Sequence, residues 1–226
     1  MAMIGGERLA ILAAPLFLLV AGCYDNVWWD YRDDPYLAEM APGGTAEALR
    51  NVNSVYLDTR QVALRTLAEA AGRARAKGNA AEADRLTDAV IRRYRQEKDA
   101  SVRMCIVLVC APAVGGGSTP MASFLRERIA AGEFPGYAAL SLAHLSPGGA
   151  YEDIVPLTRH PSPEVRLQSA VALTILADPR GRDAVARVLW SMRSPEWPDE
   201  IAGRALEEAG TSLRQRAERT YGPLFN

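Results

Sequence analysis

No segment of this chain alternates apolar and polar residues with a period of two; its apolar residues recur at helical spacing, in stretches separated by Gly, Pro and Asp. A half-buried strand needs the two-residue period and an amphipathic helix the i, i+3, i+4 one, so the pattern points to an all-α fold. Helices are expected over 55–76, with Val62, Leu67, Ala70 and Ala74 on one face, and over 80–94, with Ala83, Leu86, Val90 and Tyr94. A nearly all-apolar helix over 99–110 follows, then a loop over 111–119 with three glycines. An amphipathic helix over 120–131 carries Met121, Phe124, Leu125 and Ile129 on its apolar side. Further helices are read over 136–145, 150–159, 163–177 and 182–192, and a last pair over 198–209 and 211–221. Proline is tolerated at a helix start and disfavoured inside, so His160-Pro161-Ser162-Pro163 and Ser194-Pro195 mark boundaries.

These stretches repeat as pairs. Residues 139–157 align with 172–189 at an offset of 32–33 residues with one gap. Asp99-Ala100-Ser101-Val102-Arg103 and Ser162-Pro163-Glu164-Val165-Arg166 share a polar start followed by Val-Arg, 63 residues apart. The unit is an apolar first helix, a short Gly/Pro/Asp turn and an amphipathic second helix. It resembles the HEAT-like repeats of the short bacterial, PBS-lyase type. The resemblance is strongest in SPEVRLQSAVALTILADPRGRDAVARVL at 162–189 and good over 99–189. The flanks at 55–94 and 198–221 share only the helix-pair form, as terminal units often do. The resemblance implies an α-solenoid of about four to five HEAT-like helix pairs, each burying its first helix between neighbours. Arg103 and Arg166 stand near helix starts, an unfavourable end for a cation. Each is therefore expected to bond an acidic or carbonyl group of the adjacent unit.

The N-terminus has a different character. Residues 9–20, LAILAAPLFLLV, form an apolar run of about a dozen residues, short of the roughly 20 that a membrane-spanning helix needs. This length suits the core of a secretory signal. The run ends in Val20-Ala21-Gly22-Cys23, which resembles the lipobox of bacterial lipoproteins, with Val20 where Leu is most usual. The resemblance implies a signal peptide over 1–22, cleavage before Cys23 and lipid, including palmitate-type acyl chains, on that cysteine. Each buried acyl CH2 contributes about 0.8 kcal/mol, so two or three chains anchor stably. The alternatives are an ordinary cleaved signal and an uncleaved anchor. Tyr24 replaces the Asp of inner-membrane retention, which favours the outer membrane and a domain facing the periplasm or exterior.

Residues 23–46 are expected to form an irregular, acidic and aromatic tether, and 47–226 the repeat domain. Trp28, Trp29, Tyr31 and Tyr36 are the candidate contact residues of the tether, facing the membrane interface, the domain or a partner. A net charge of −1 argues against nucleic acid as a partner, since that binding rests on phosphate neutralisation. Residues 50–103 are locally basic, with 12 Arg/Lys against 7 Asp/Glu, which suits an acidic partner or an envelope polyanion. Cys105 and Cys110 are five apart; on a continuous α-helix they would point about 140° apart, too far for a relaxed disulfide. The plain reading is buried free thiols.

His144 and His160 are the only histidines, and neither belongs to a metal motif. HExxH, CxxC and a Gly-rich loop before Lys-Ser/Thr are all missing, so no cofactor and no metal is expected. The leading expectation is a membrane-anchored, non-catalytic envelope scaffold that binds a protein or peptide. Two alternatives stay open: a HEAT-repeat enzyme or lyase-like protein with a site near His144 or His160, and a purely structural envelope component.

Overall fold

The computed structural model describes residues 40–146, 148–192 and 200–225, with the backbone path alone for 200–209. The chain is all-α: among the described residues there are helices and turns and no strand. These residues fall into two compact units, one ending at Asp153 and the other starting at Ile154. Cys23, Trp28, Trp29, Tyr31 and Tyr36 lie outside the described residues.

The first unit begins with a short helix that the sequence reading assigned to the tether and the boundary beyond it, α1 (Thr45–Asn51). Helix α2 (Leu57–Ala76) and α3 (Ala80–Gln96) form the first long pair. Helix α2 starts two residues later than expected, which leaves Val55 and Tyr56 exposed before it. Gly78, at φ 77°, allows the left-handed turn between the two helices. Asn79 then caps α3, its side chain accepting the Glu82 N–H. The chain ahead of α1 folds back onto α2: Ala41 packs against Val62, and Met40 Sδ accepts from Thr59 Oγ1.

Helix α4 (Ala100–Cys105) is capped by Asp99, which accepts from the N–H groups of Ser101 and Val102. It does not stop at Cys110. It widens into a π-turn at Ile106–Cys110 and continues through Ala111–Ala113. The cause is Pro112. Proline inside a helix removes a donor and clashes with the carbonyl four residues back. Shifting the ladder by one residue relieves the clash, so that Ala111 N–H bonds Ile106 O, five residues back. The shifted ladder leaves Val107 O facing Pro112, which has no N–H. Ser141 supplies the missing donor, its hydroxyl lying 2.6 Å from Val107 O. Both residues are fully buried. Ser141→Ala therefore orphans a buried carbonyl and is expected to cost about 1–3 kcal/mol. A denaturant midpoint unchanged from wild type would refute that account.

Helix α5 (Thr119–Ala131) ends at Gly132, in the left-handed region at φ 69°. Helix α6 (Pro135–Leu145) follows after Phe134, itself at φ 51°. Nine of the eleven residues of α6 are buried, from Gly136 through Ala143 and at Leu145, so α6 is the core element of this unit. Helix α4 with its continuation touches both α2 and α6, and α3 touches α5. The tightest of these contacts lies between α2 and the end of α4. A Cβ on Gly72 would stand 2.3 Å from Ala113 O, and Gly115 approaches the Gly72 Cα.

The expected helix over 150–159 is instead one α-turn, α7 (Tyr151–Ile154), followed by a 3-10 turn at Val155–Arg159. Pro156 lies in the first turn of that 3-10 segment, where its missing N–H leaves no ladder bond unmade.

In the second unit, helix α8 (Pro163–Leu176) is capped by Ser162 and ends at Ala177 in the left-handed region at φ 52°, where Gly is usual. Helix α9 (Arg182–Ser191) buries Ala184, Val185, Val188 and Leu189, as its stripe suggested. The final pair is a single helix, α10 (Glu200–Tyr221), which runs through Gly210 without a break. One Gly costs only about 1 kcal/mol in a helix interior, and here it admits Met192, whose Cε would lie 3.5 Å from a Cβ. Tyr221 at the far end donates to Leu173 O at 2.6 Å, satisfying a carbonyl in the last turn of α8. Gly181 leaves room for that phenol.

Candidate functional site

His160 Nδ1 accepts the Ser162 N–H at 3.1 Å, and its carbonyl accepts from Arg166 at 2.9 Å. His144 is exposed on α6. Among the described residues no group of three His, Cys, Asp or Glu side chains is placed to hold a metal. No described helix is long and apolar enough to cross a membrane. Arg166 thus bonds its own lead-in loop rather than an adjacent unit. Arg103 reaches Glu133, thirty residues on, at 3.2 Å.

A groove of about 480 Å³ lies between α3 and α5. Its floor is Ile91, Pro120 and Phe124; its rims carry Asp88, Arg92 and Arg95 from α3 and Ser123 and Glu127 from α5. Helical spacing explains the arrangement. Asp88, Ile91, Arg92 and Arg95 follow the i, i+3, i+4, i+7 stripe of one face, and Pro120, Ser123, Phe124 and Glu127 follow the same stripe on α5. Arg95 and Glu127 face each other across the cleft at 3.9 Å, both more than half exposed, so that pair contributes little on its own. Asp88 and Arg92 are also exposed. The groove presents both signs of charge over an apolar floor.

Beneath the groove lies a knot of aromatic and charged side chains that fixes Phe124. Tyr94 meets Phe124 edge-on, with ring centroids 4.9 Å apart. The Arg128 guanidinium sits over both rings, at 5.3 Å from Tyr94 and 5.4 Å from Phe124. Arg103 approaches Tyr94 from another side at 5.9 Å. Glu133 gathers the polar ends: it accepts from Tyr94 Oη at 3.1 Å, from Arg103 and from Arg128. Burial pushes the Tyr94 phenol up, and its hydrogen bond to Glu133 adds to this. Burial alone would raise the Glu133 carboxyl, but the hydrogen bonds from Arg128 and Tyr94 outweigh it and hold the group below the usual carboxylate range. Glu133 is thereby ionised at neutral pH, and the groups that face the groove are the Asp88 and Glu127 carboxylates, the Ser123 hydroxyl and the two rim arginines.

No known protein family and no curated relative matches this chain. The groove and the knot therefore stand on their own geometry. The sequence reading singled out Phe124 and Tyr94 as core and Arg103 as an inter-unit bond, but it did not assemble the groove. The signal was present in the two matching stripes; what was missing was the knowledge that α3 and α5 lie side by side.

Proposed function

We propose that this chain is a lipid-anchored envelope lipoprotein, held by Cys23, whose helical domain is a HEAT-like solenoid acting as a non-catalytic scaffold. The α3–α5 groove is its binding surface for a protein or peptide. The observation that carries the reading is that groove: an apolar floor, an α3 rim of mixed charge and a Glu127 carboxylate opposite it on α5. Support for the repeat reading comes from the first unit, where the first helices α2, α4 and α6 contact in succession and the second helices α3 and α5 do the same. Successive contacts of this kind are how stacked helix pairs cover their apolar first helices. The rim arginines belong to the locally basic segment 50–103, so the occupant is expected to place acidic side chains near Arg92 and Arg95 and an apolar one over Phe124.

The test is crosslinking in intact envelopes followed by recovery of the full chain, run in parallel for wild type, for Cys23→Ser and for Arg92→Glu with Arg95→Glu. Wild type is expected in the membrane fraction with a specific crosslinked protein. Reversing both rim charges is expected to lose at least about tenfold of that product, since like-charge juxtaposition costs several kcal/mol. Cys23→Ser is expected to move the chain out of the membrane fraction. Recovery of the same products from the charge-reversed variant would rule out the groove. Membrane retention of Cys23→Ser would rule out the lipid anchor.

A further inference from the structure

The π-turn of α4 changes the relation between Cys105 and Cys110. On a regular α-helix, Cα atoms five residues apart are separated by about 9 Å, beyond disulfide reach. In a π-turn the hydrogen-bonded ring closes over five residues instead of four, so residues five apart are stacked as i and i+4 are in an α-helix. Their separation falls to about 6 Å, inside the range that disulfides use. Ile106–Cys110 is that turn. Both side chains are free thiols, and this turn stacks them on the same side of the helix. Cys105 is half-buried and within reach of solvent, whereas Cys110 is fully buried.

We infer that Cys105 and Cys110 form a dithiol site that a disulfide oxidant converts to an intramolecular disulfide, Cys105 attacking first and Cys110 resolving. The inference is independent of the groove and of the lipid anchor. Division of labour between the thiols follows from their surroundings. The hydrogen bond from Cys110 holds the Cys105 thiol below its ordinary value against the effect of burial, and Arg65 on α2 assists. The same hydrogen bond and burial push Cys110 well up, with Glu69 adding to the rise. Arg65 and Glu69 are themselves paired at 3.1 Å and line the α2 side of the site. An accessible thiol of lowered pKa beside a buried thiol of raised pKa is the arrangement in which one attacks and the other resolves.

The chemistry balances with one disulfide, RS–SR, as co-reactant. Cys105 thiolate attacks one sulfur of RS–SR, forming a Cys105–SR mixed disulfide and releasing RS⁻. Cys110 then gives up its proton and attacks Cys105 Sγ, breaking the Cys105–SR bond and releasing the second RS⁻. Both leaving thiolates take up the protons that the cysteines lost. The chain loses two hydrogens and the oxidant is reduced to two thiols.

The experiment uses the full chain, reduced, freed of reductant in detergent and exposed to oxidised glutathione as probe. Remaining thiols are then alkylated in denaturant and the chain is digested with trypsin. Both cysteines fall in one tryptic peptide, Met104–Arg126, with no internal Arg or Lys. The expected product is that peptide with its two hydrogens lost and no alkyl group. Cys110→Ser is expected to trap glutathione on Cys105, and Cys105→Ser to react with glutathione about tenfold more slowly or not at all. A wild-type peptide that stays doubly alkylated, a persistent glutathione adduct on wild type, or a disulfide to Cys23 would each overturn the proposal. Equal rates for the two single variants would overturn the assignment of roles.

Discussion

Gly72→Ala is expected to destabilise the first unit by about 2–4 kcal/mol, although alanine is the better helix former. Away from contacts, an alanine in the middle of α2 would gain about 1 kcal/mol over glycine. Here the new methyl would sit 2.3 Å from Ala113 O and 3.5 Å from the carbonyl carbons of Ala113 and Val114. All of these are backbone atoms, which no rotamer change can move aside. Relief requires α2 and the end of α4 to separate. That separation also disturbs Gly115, whose left-handed turn packs on the Gly72 backbone. Thermal or denaturant unfolding of the full chain checks this. Replacing an exposed helix residue with Ala serves as reference. A Gly72→Ala chain as stable as wild type would mean that the two helices do not approach this closely.

Glu97→Ala is expected to cost about 3 kcal/mol or more, because it strands two arginines that are largely removed from water. Glu97 stands just ahead of α4, with only 4% of its side chain exposed. One carboxylate oxygen takes Arg60 Nε at 3.1 Å and Arg93 at 2.7 Å. The other takes the backbone N–H groups of Lys98 and Asp99, both at 3.0 Å. One residue thereby ties α2, α3 and the start of α4 together. Glu97→Gln keeps an acceptor for the two N–H groups but loses the charge, so it is expected to cost roughly half as much. Burial by itself would raise the Glu97 carboxyl, yet the N–H of Asp99 and the guanidinium of Arg93 prevail and its pKa lies below the ordinary value. The sign of the pH effect follows. The stabilisation is complete above the ordinary carboxylate range and is lost as pH falls through the lowered value in the folded chain. Wild type is therefore expected to lose stability on acidification more steeply than Glu97→Gln. Parallel acid-unfolding curves for the two would contradict the role given to this carboxylate.

The sequence made the helices legible and left their interruptions obscure. The helices over 80–94, 120–131 and 182–192 match α3, α5 and α9 to within two residues at each end, because periodic apolar stripes and capping residues act locally. The sequence pattern places Pro112 in a loop over 111–119, yet it sits inside a helix. A proline can end a helix or force a π-turn, and the choice depends on Ser141, 34 residues on from Val107, being there to bond Val107 O. Gly210 looks like a break in the sequence for the same kind of reason: its low propensity is local, but what offsets it is packing against Met192. The groove was partly legible. Each of its rims is a stripe that can be read from one helix, whereas the pairing of the rims is a property of the fold. The thiol contact was not legible at all, since the 140° offset of a regular helix pointed the other way.

The π-turn also sets how this chain tolerates changes of length. A regular α-helix turns about 100° per residue, and the wider turn at Ile106–Cys110 takes up one residue beyond the regular count. Deleting a single residue there would restore the regular ladder and rotate everything after it by about that angle. Ala113 O would then swing away from Gly72, and the glycine loop would leave α2 on the wrong face. Substitutions in this turn trade one side chain for another, whereas a one-residue deletion rewrites the register of the unit. Insertions and deletions in related chains should therefore collect in the loop at 115–118 and avoid the turn before it.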